Sequence, residues 1–363
     1  MNSTDLVSAR LISQHIAGTK FKTVKELVRW MGAMQAQDFA MVKWAVGVRL
    51  PNSTEQTVET AINNGEIIRT HLLRPTWHLV SADDIYWLLA LSAPQLRSSV
   101  NSRHKELGLS ETVISKSNSV LERSLRDGNH LTREELAAEF GKAKINTLDN
   151  RLSHLLMQAE LDGVVCSGAT KNGKPAYALL EERVPRTKSL TKDEALEKLA
   201  QKYFTSHCPA TLQDFVWWSG LPVGDAKRAL ELVKPDLISE TINSQTYWFD
   251  KSFSVPKFSK ESVYLLPAFD EFTISYKDRS AALPFEDQKK TISDNGIFRP
   301  IVVINGQVTG VWKRTIKKDK VIVEVKLFKQ PSKAIKSLIE NAAAQIGKFL
   351  EKETEIVTTY ETN

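Results

Sequence analysis

Cysteine is scarce in this chain, which has only Cys166 and Cys208 among its 363 residues. The two lie far apart and form no Cys-x-x-Cys pair, so the sequence predicts neither a disulfide framework nor a zinc site. Long apolar runs are lacking too, because none reaches the roughly 20 residues that a membrane-spanning helix needs. The first residues, MNSTDLVSARLISQ, show no basic start followed by an apolar core, so a secretory signal is not expected. These absences favour a cytoplasmic protein.

Common catalytic signatures are also missing. The seven histidines form no His-Glu-x-x-His, and the chain has neither a Gly-x-x-x-x-Gly-Lys-Ser/Thr phosphate loop nor a Gly-x-Ser-x-Gly elbow. Metal, nucleoside-triphosphate and serine-hydrolase chemistry are therefore not expected. His71 and His78 flank LLRPTW on one predicted strand. At this spacing they should point to opposite faces of the strand, and we interpret both as structural or hydrogen-bonding residues rather than ligands.

Size and charge set further bounds. A chain of 363 residues is too long for one small core and predicts two to four units. Hydrophobic residues make up 42% and charged residues 25%, which is typical of a globular protein. The net charge of +6 and the pI of about 9.1 allow a polyanionic partner without requiring one.

The middle of the chain has the clearest pattern. LTREELAAEF begins with a capping box, in which Thr132 is followed three residues later by Glu135. The apolar positions of Ile145–Gly163 follow the helical period, and Gly163 is suited to end that helix. Val164–Leu180 then reads as a hairpin around a turn with Gly, Asn and Lys. This order predicts a winged helix-turn-helix; the alternative is a small helical domain with an added hairpin.

The same order of elements recurs before and after this segment. Ala210–Gly220, Pro222–Leu237 and Leu237–Asp250 predict two helices and a hairpin, and the first 82 residues predict a similar unit that includes a helix over TVKELVRWMGAMQAQ and a strand over HLLRPTWHLV. Beyond the last of these three units the sequence is rich in predicted strands, with Asn305 and Gly306 as a hairpin turn, and it ends with a predicted helix.

The predicted fold class is therefore α+β, with three tandem winged helix-turn-helix units and a small C-terminal β-barrel-like domain. The predicted domains are residues 1–82 (first winged helix), 83–130 (connecting helices), 131–183 (second winged helix), 184–255 (third winged helix) and 256–363 (β-rich, barrel-like, with a C-terminal helix).

Basic residues fall where a winged helix would contact nucleic acid. Such groups can neutralise phosphates and hold a duplex without reading its bases. The alternative is a solvated charged surface; the recurrence of clusters on helix and wing elements favours double-stranded DNA. The candidate residues are Arg151, His154, Lys171, Lys174, Arg183, Arg186, Lys188, Lys192, Lys313, Arg314, Lys317, Lys318 and Lys320.

Five sequence pieces, in order along nearly the whole chain, resemble one family. They are QAQD (Gln35–Asp38), LLRPTWHLV (Leu72–Val80), DFVWWSGLP (Asp214–Pro222), LLPAFDEFTISYKDR (Leu265–Arg279) and INGQVTGVWKR (Ile304–Arg314). Together they are similar to the winged-helix DNA glycosylases related to AlkZ and YcaQ. The resemblance implies three tandem winged helices and a β-barrel arranged as a C around DNA. It also implies an active-site motif of Gln, an apolar residue, and Gln or Asp, whose first form Gln35-Ala36-Gln37 matches.

The chemistry of two amides fits this implied role under one condition. Residues two apart in a helix lie about 200° apart, so Gln35 and Gln37 can converge only where the backbone is extended or irregular, or where a cleft wraps around the end of the helix. The alternative is that both lie on the solvent-facing side of an amphipathic helix. Two amides can fix a water by donating and accepting hydrogen bonds. Asp38 could stabilise a sugar cation or act as a base; its alternative role is that of a surface or capping acid.

The predicted function is that of a monofunctional DNA glycosylase that hydrolyses the N-glycosidic bond of purines alkylated at N3 or N7, cross-linked purines included. Gln35, Gln37 and Asp38 are the candidate catalytic residues. We expect a monomer that binds double-stranded DNA and needs no membrane, metal or cofactor. The alternatives are a winged-helix DNA-binding protein without catalysis, regulatory or architectural, and, more remotely, a protein-interaction scaffold.

Overall fold

The computed structural model describes residues 3–253 and 261–361. The first part of the chain contains α1 (Ser3–Ser13), α2 (Val24–Met31), β1 (Met34–Gln35), α3 (Phe39–Arg49), α4 (Glu55–Asn63), β2 (Ile67–Leu72), β3 (Arg74–Ser81) and the long helix α5 (Ile85–Glu106). The second part contains α6 (Glu111–Leu125), β4 (Leu131–Thr132), α7 (Arg133–Lys142), α8 (Arg151–Leu161), β5 (Val165–Ser167), β6 (Ala176–Leu179) and α9 (Leu180–Arg183).

The remaining elements form a third and a fourth part. The third contains α10 (Lys192–Ser206), α11 (Leu212–Ser219), α12 (Val223–Val233), β7 (Leu237–Ile242) and β8 (Gln245–Asp250). The fourth contains β9 (Val263–Leu266), α13 (Glu271–Ile274), α14 (Phe285–Thr291), β10 (Ile301–Ile304), β11 (Gln307–Ile316), β12 (Lys320–Leu327), α15 (Lys333–Leu350) and β13 (Glu353–Tyr360). The predicted boundary between residues 255 and 256 lies outside the described residues.

One order of elements, a helix, a short strand, two helices and a hairpin, recurs in the first three parts. The sheets of the first two have the orders β1-β3-β2 and β4-β6-β5, so the short strand pairs with the last strand in both. In the third part a single bridge between Ala210 and Trp248 takes the place of that strand. The capping box of Thr132 and Glu135 is present as predicted, and the helix, turn, helix and hairpin that follow it are all formed.

Two predictions about the first part are wrong. The helix predicted over residues 23–37 ends at Met31, because Gly32 adopts a positive φ of 76° that stops it. The segment HLLRPTWHLV is not one strand but a hairpin, which turns at Leu73 with a φ of 60°. His71 and His78 do point to opposite faces of the sheet, but they lie on two different strands. In the β2-β3 ladder His71 pairs with Trp77, and His78 pairs with Thr70.

The predicted barrel-like closure of the last part is also wrong. Its five strands form one open sheet in the order β13-β12-β11-β10-β9, so the edge strands β9 and β13 do not meet among the described residues. The chain returns through α15 to add β13 parallel to β12, and this helix covers one face of the sheet instead of a further strand closing it. The predicted turn at Asn305 and Gly306 is present between β10 and β11.

Two hydrophobic cores meet at the small sheet of the first part. One core joins the helices of the first part to the C-terminal sheet, and in it the Trp44 ring packs edge-on against Phe349 with centroids 5.3 Å apart. The other core joins the opposite face of the small sheet, which carries Ala33, Ile68 and Val80, to helices of the third part. The sheet that carries Gln35 is therefore buried on both faces. Among the described residues, no helix combines the length and the hydropathy needed to cross a membrane.

A close backbone approach ties the third part to the hairpin of the first. Gly220 follows α11 with a φ of 66°, and a Cβ at this position would overlap the carbonyl oxygen of Leu73. We expect Gly220→Ala to lower the free energy of unfolding by about 2–4 kcal/mol, because backbone strain and overpacking add. Urea unfolding measures this. Gly224→Ala is the matched control, since a Cβ on Gly224 meets nothing within 4 Å; equal losses in both variants would contradict the assigned contact.

Candidate active site

The segment Gln35–Asp38 is not helical: Gln35 lies in β1, and the chain bends at Gln37 and Asp38 before α3 begins. Gln35 in β1 pairs with His78 in β3, and the Ala36 amide continues this ladder by donating to the Trp77 carbonyl at 2.7 Å. The separation of about 200° between helical positions two apart therefore does not apply to Gln35 and Gln37. Gln35 is buried, whereas Gln37 and Asp38 are exposed. The backbone is therefore extended at Gln35 and irregular at Gln37, and the joint action of the two side chains stays a prediction.

Gln35 is fixed at both its backbone and its side chain. Its backbone amide donates to Oε1 of Glu271 at 2.5 Å, and its side-chain Oε1 accepts from Nη2 of Arg74 at 2.8 Å. Glu271 begins α13 of the fourth part, while Arg74 begins β3. Elements from two distant parts of the chain thus hold the first glutamine of the motif.

Glu271 is the most important residue here that the sequence analysis missed. It is buried, and its Oε2 accepts from Nε1 of Trp218 at 3.2 Å and from the Ser275 hydroxyl, with Nε2 of His207 at 3.5 Å. Burial acts to raise the pKa of this carboxyl, but the His207 ring and the other donors outweigh it and lower the pKa to about 2. Glu271 is therefore an anionic anchor at neutral pH. Its signal was its place within LLPAFDEFTISYKDR.

The lowered pKa makes a prediction about acid stability. A carboxyl whose pKa is depressed on folding stabilises the protein above its unfolded pKa, and this stabilisation is lost as the pH falls through the folded pKa. Glu271→Gln should therefore cost on the order of 3 kcal/mol at pH 5–8, and the difference from the parent protein should shrink between about pH 4.5 and 2. Urea unfolding at several pH values measures it. Glu286 is exposed, so Glu286→Gln serves as the control and should unfold like the parent protein at every pH. A loss in Glu271→Gln that does not change with pH would contradict the role of Glu271 as a buried anion.

The residue before Glu271 forms a second buried ion pair. Asp270 binds the guanidinium of Arg49 through both carboxylate oxygens, each at 2.8 Å, and both side chains are fully buried. The other Arg49 donors reach the backbone and side-chain oxygens of Gln14 and the Ala45 carbonyl. Because all five N–H groups of the guanidinium are used, the start of α13 is fixed firmly against α3.

Two histidines of the β2-β3 hairpin lie on opposite faces of the small sheet. His78 lies directly across from Gln35 and is fully buried, and burial lowers its pKa to about 3, so the ring is neutral at physiological pH. Its Nδ1 lies 3.0 Å from the Thr76 carbonyl, which can only accept, so Nδ1 carries the proton. On the other face of the hairpin, Nδ1 of His71 pairs with the buried carboxylate of Glu160 on α8. Both contacts agree with the predicted hydrogen-bonding roles.

Metal ligation finds no support in the ranges 3–253 and 261–361. No group of three or more His, Cys, Asp or Glu side chains there is placed to hold an ion. Cys166 and Cys208 are both buried and unbonded to each other, and burial raises the pKa of each thiol to about 12, so neither is a reactive thiolate.

A family model described as DNA glycosylase AlkZ-like matches residues 28–349 of the chain. The chain belongs to the AlkZ-like DNA glycosylase family. It is therefore an enzyme of DNA repair whose substrate is DNA. The fold is similar to that of the Streptomyces sahachiroi DNA glycosylase AlkZ, with a TM-score of 0.78 at 19% identity over 98% of this chain and 100% of that one. No curated protein matches the chain.

Asp38 of this glycosylase has a visible structural role. It is the N-cap of α3, and its Oδ1 accepts from the amides of Ala40 and Met41, each at 3.0 Å. The capping alternative raised by the sequence therefore accounts for one carboxylate oxygen. Arg314 of the C-terminal sheet reaches the same place, where its Nη2 donates to the Ala40 carbonyl at 3.1 Å. Of the predicted DNA-binding residues, Arg314 is one that the structure brings beside the motif.

The candidates on α8 are largely engaged within the glycosylase. Arg151 donates to the carbonyls of Asn146 and Leu107, and His154 packs edge-on against His104 with centroids 5.3 Å apart. Burial lowers the pKa of His154, so its ring is neutral at pH 7. Most of α8, from Leu155 to its end, is buried against neighbouring helices and the first hairpin. Contact between this helix and DNA stays a prediction.

Seven of the remaining basic candidates have partners of opposite charge or at helix ends. Lys171 and Lys174 form the tip of the β5-β6 hairpin as predicted, and they pair with the first turn of α7 through Glu135 at 2.6 Å and Glu134 at 3.8 Å. The other pairs are Arg183 Nη2 with the Ile62 carbonyl at 2.6 Å, Arg186 with Glu181 at 3.8 Å, Lys192 with Asp225 at 2.8 Å, Lys313 with Glu324 at 3.1 Å, and Lys320 with Glu355 at 2.5 Å.

Proposed function

We propose that this glycosylase hydrolyses the N-glycosidic bond of purines alkylated at ring nitrogen N3 or N7 in double-stranded DNA. The observation that carries the proposal is the non-helical form of Gln35-Ala36-Gln37, a strand end followed by a bend, with the first glutamine buried and fixed and the second exposed. Alkylation makes the base cationic and a good leaving group. Placing one water and favouring an oxocarbenium-like sugar then suffices, without a strong general acid.

Gln35 and Gln37 would position the attacking water, and Asp38 would act from the start of α3 on the cationic sugar. The polar partners of Gln35 are a guanidinium and a carboxylate, neither of which is an amine that could form a Schiff base with the sugar. This supports a monofunctional enzyme whose product is an abasic site. Cross-linked purines bonded through N7 offer the same cationic leaving group, and we include them in the proposed substrate class.

The proposed DNA-binding architecture is three tandem winged helices. It is supported by the threefold recurrence of a helix, a short strand or bridge, two helices and a hairpin. The small sheet with Gln35 and Gln37 belongs to the first of these units. We propose that the wing tip of the second unit, with Lys171 and Lys174, contacts phosphates of the duplex.

Incubation with a duplex that carries one N7-methylguanine tests the function. We expect strand breaks at the lesion only after alkali, because a monofunctional enzyme leaves an intact abasic strand. The unmodified duplex and the double variant Gln35→Ala, Gln37→Ala are the controls. Salt-dependent binding without base release would contradict the proposed reaction and favour a DNA-binding protein without catalysis, and breaks before alkali would contradict the monofunctional assignment.

Charge reversal tests the wing. Lys171→Glu with Lys174→Glu should weaken duplex binding to a similar extent for all sequences and flatten its salt dependence, because fewer counterions are released. Fluorescence anisotropy at several salt concentrations measures both. Lys142→Glu, an exposed lysine paired with Glu139 in α7, is the matched control. Unchanged affinity of the double variant at low salt would show that the wing does not contact DNA.

A further inference from the structure

The orientation of the Gln35 amide is fixed by the chemistry of its partner. Nη2 of Arg74 lies 2.8 Å from Oε1 of Gln35. A guanidinium carries five N–H donors and no acceptor, so the atom that faces it must be the amide oxygen and not the amide nitrogen. The NH₂ group of Gln35 therefore points away from Arg74, and a flip of the amide would set donor against donor.

Arg74 is itself held in place by elements on both sides. It follows Leu73, whose φ of 60° forms the turn of the β2-β3 hairpin, and Gly220 of the third part packs on that turn. A Cβ on Gly220 would lie 3.4 Å from Cγ of Arg74, so the base of this side chain is confined as well. The Gln35 backbone is fixed independently, by Glu271. Neither partner of the Arg74 contact can move away without disturbing a packed turn or a buried carboxylate.

The two glutamines of the motif consequently differ in what they can do. Arg74 engages one lone pair of the Gln35 oxygen and so fixes the amide with Nε2 directed away from the guanidinium. Gln37 is exposed and has both a donor and an acceptor to offer. An attacking water must give its proton toward an acceptor while one of its lone pairs is directed at the sugar. Gln37 is the exposed member of the pair, and its amide oxygen can serve as that acceptor.

We propose that Arg74 is a positioning residue that orients the Gln35 amide with Nε2 toward the water and thereby divides the handling of the water. Gln35 donates through Nε2 to the lone pair of the water that does not attack, and Gln37 accepts a hydrogen bond from the same water through Oε1. This assignment rests on the proposed function, because it concerns the water of that reaction. It requires the two glutamines to respond differently to the same substitution.

Single-turnover base release from a duplex with N7-methylguanine tests this asymmetry. Gln35→Glu replaces the donor by an oxygen while the new carboxylate still faces Arg74, so we expect a fold similar to the parent's and a loss of on the order of 10²-fold. Gln35→Met, of similar length but without donor or acceptor, should lose as much. Gln37→Glu keeps an acceptor and should lose less than about tenfold. Equal losses in Gln35→Glu and Gln37→Glu would overturn the proposal.

A double-mutant cycle tests Arg74 itself. Arg74→Met should slow base release by about tenfold in the parent protein and have no further effect in Gln35→Met, because it acts only through that amide. Losses that multiply would overturn the positioning role. Melting temperature and duplex affinity, measured on the same preparations, separate a loss of positioning from unfolding. If Arg74→Met does not fold, the comparison of Gln35→Glu with Gln37→Glu tests the proposal. Failure of the proposed function is distinguishable, because then the parent protein itself would release no base.

Discussion

Gln37→Ala is expected to slow base release by on the order of 10²-fold, about 2.7 kcal/mol, while the affinity for lesion DNA stays within a few-fold. The reason is that a positioned water matters for the transition state and hardly for binding of the ground state. Gln37 is exposed in the bend between β1 and α3, so its loss should leave the fold unchanged. Single-turnover excision and melting temperature on the same preparations measure both effects.

The matched control is Gln56→Ala, another exposed glutamine, on α4. It should behave as the parent protein in both measurements. If the motif were scaffold, Gln37→Ala would instead lower the melting temperature, and excision would fall only with the folded fraction. Full excision by a folded double variant Gln35→Ala, Gln37→Ala would move the search for the catalytic group to Asp38.

Arg49→Met is expected to lower the free energy of unfolding by about 3–5 kcal/mol, because it leaves the Asp270 carboxylate buried without its cation. The effect should reach the active site, since Asp270 and Glu271 begin the same helix and Glu271 holds the backbone of Gln35. Urea unfolding gives the first quantity, and single-turnover base release of the folded fraction gives the second.

Removing the charge of the partner should rescue part of this loss. In Arg49→Met with Asp270→Asn no buried charge is left unpaired, and the asparagine can still cap α13. Arg103→Met, which breaks an exposed pair with Glu106, is the control and should cost less than about 1 kcal/mol. An Arg49→Met variant as stable as Arg103→Met would contradict the role assigned to the buried pair.

Local signals in the sequence predicted most of the helices and hairpins. The capping box at Thr132, the turn at Asn305 and Gly306, and the hairpin bearing Lys171 each depend on residues close together in the chain, so their patterns were sufficient. The stop at Gly32 and the turn at Leu73 were missed because they interrupt runs of apolar residues that fit a longer helix and a longer strand.

The surroundings of the glutamines could not be predicted in the same way. Gln35 and Glu271 are 236 residues apart, and no local pattern links a strand amide to a carboxylate at that distance. The burial of α8 is a similar case. Its period identified the helix, and Arg151 and His154 were predicted to contact DNA, but no local pattern indicated that Glu160 of the same helix pairs with His71 of the first part. An open sheet likewise cannot be distinguished from a barrel by strand pattern alone.

The union of the first part with the C-terminal sheet has a consequence for synthesis on the ribosome. At ~5–20 residues per second, Gln35 leaves the ribosome roughly 10–50 s before Glu271 is made. Until then the backbone of the motif has no anchor, and Trp44 lacks the Leu265 carbonyl to which its ring N–H donates. A nascent or prematurely ended chain would thus contain both glutamines without the contacts that hold the proposed active site. That site is complete only in polypeptides whose last quarter has been translated and folded.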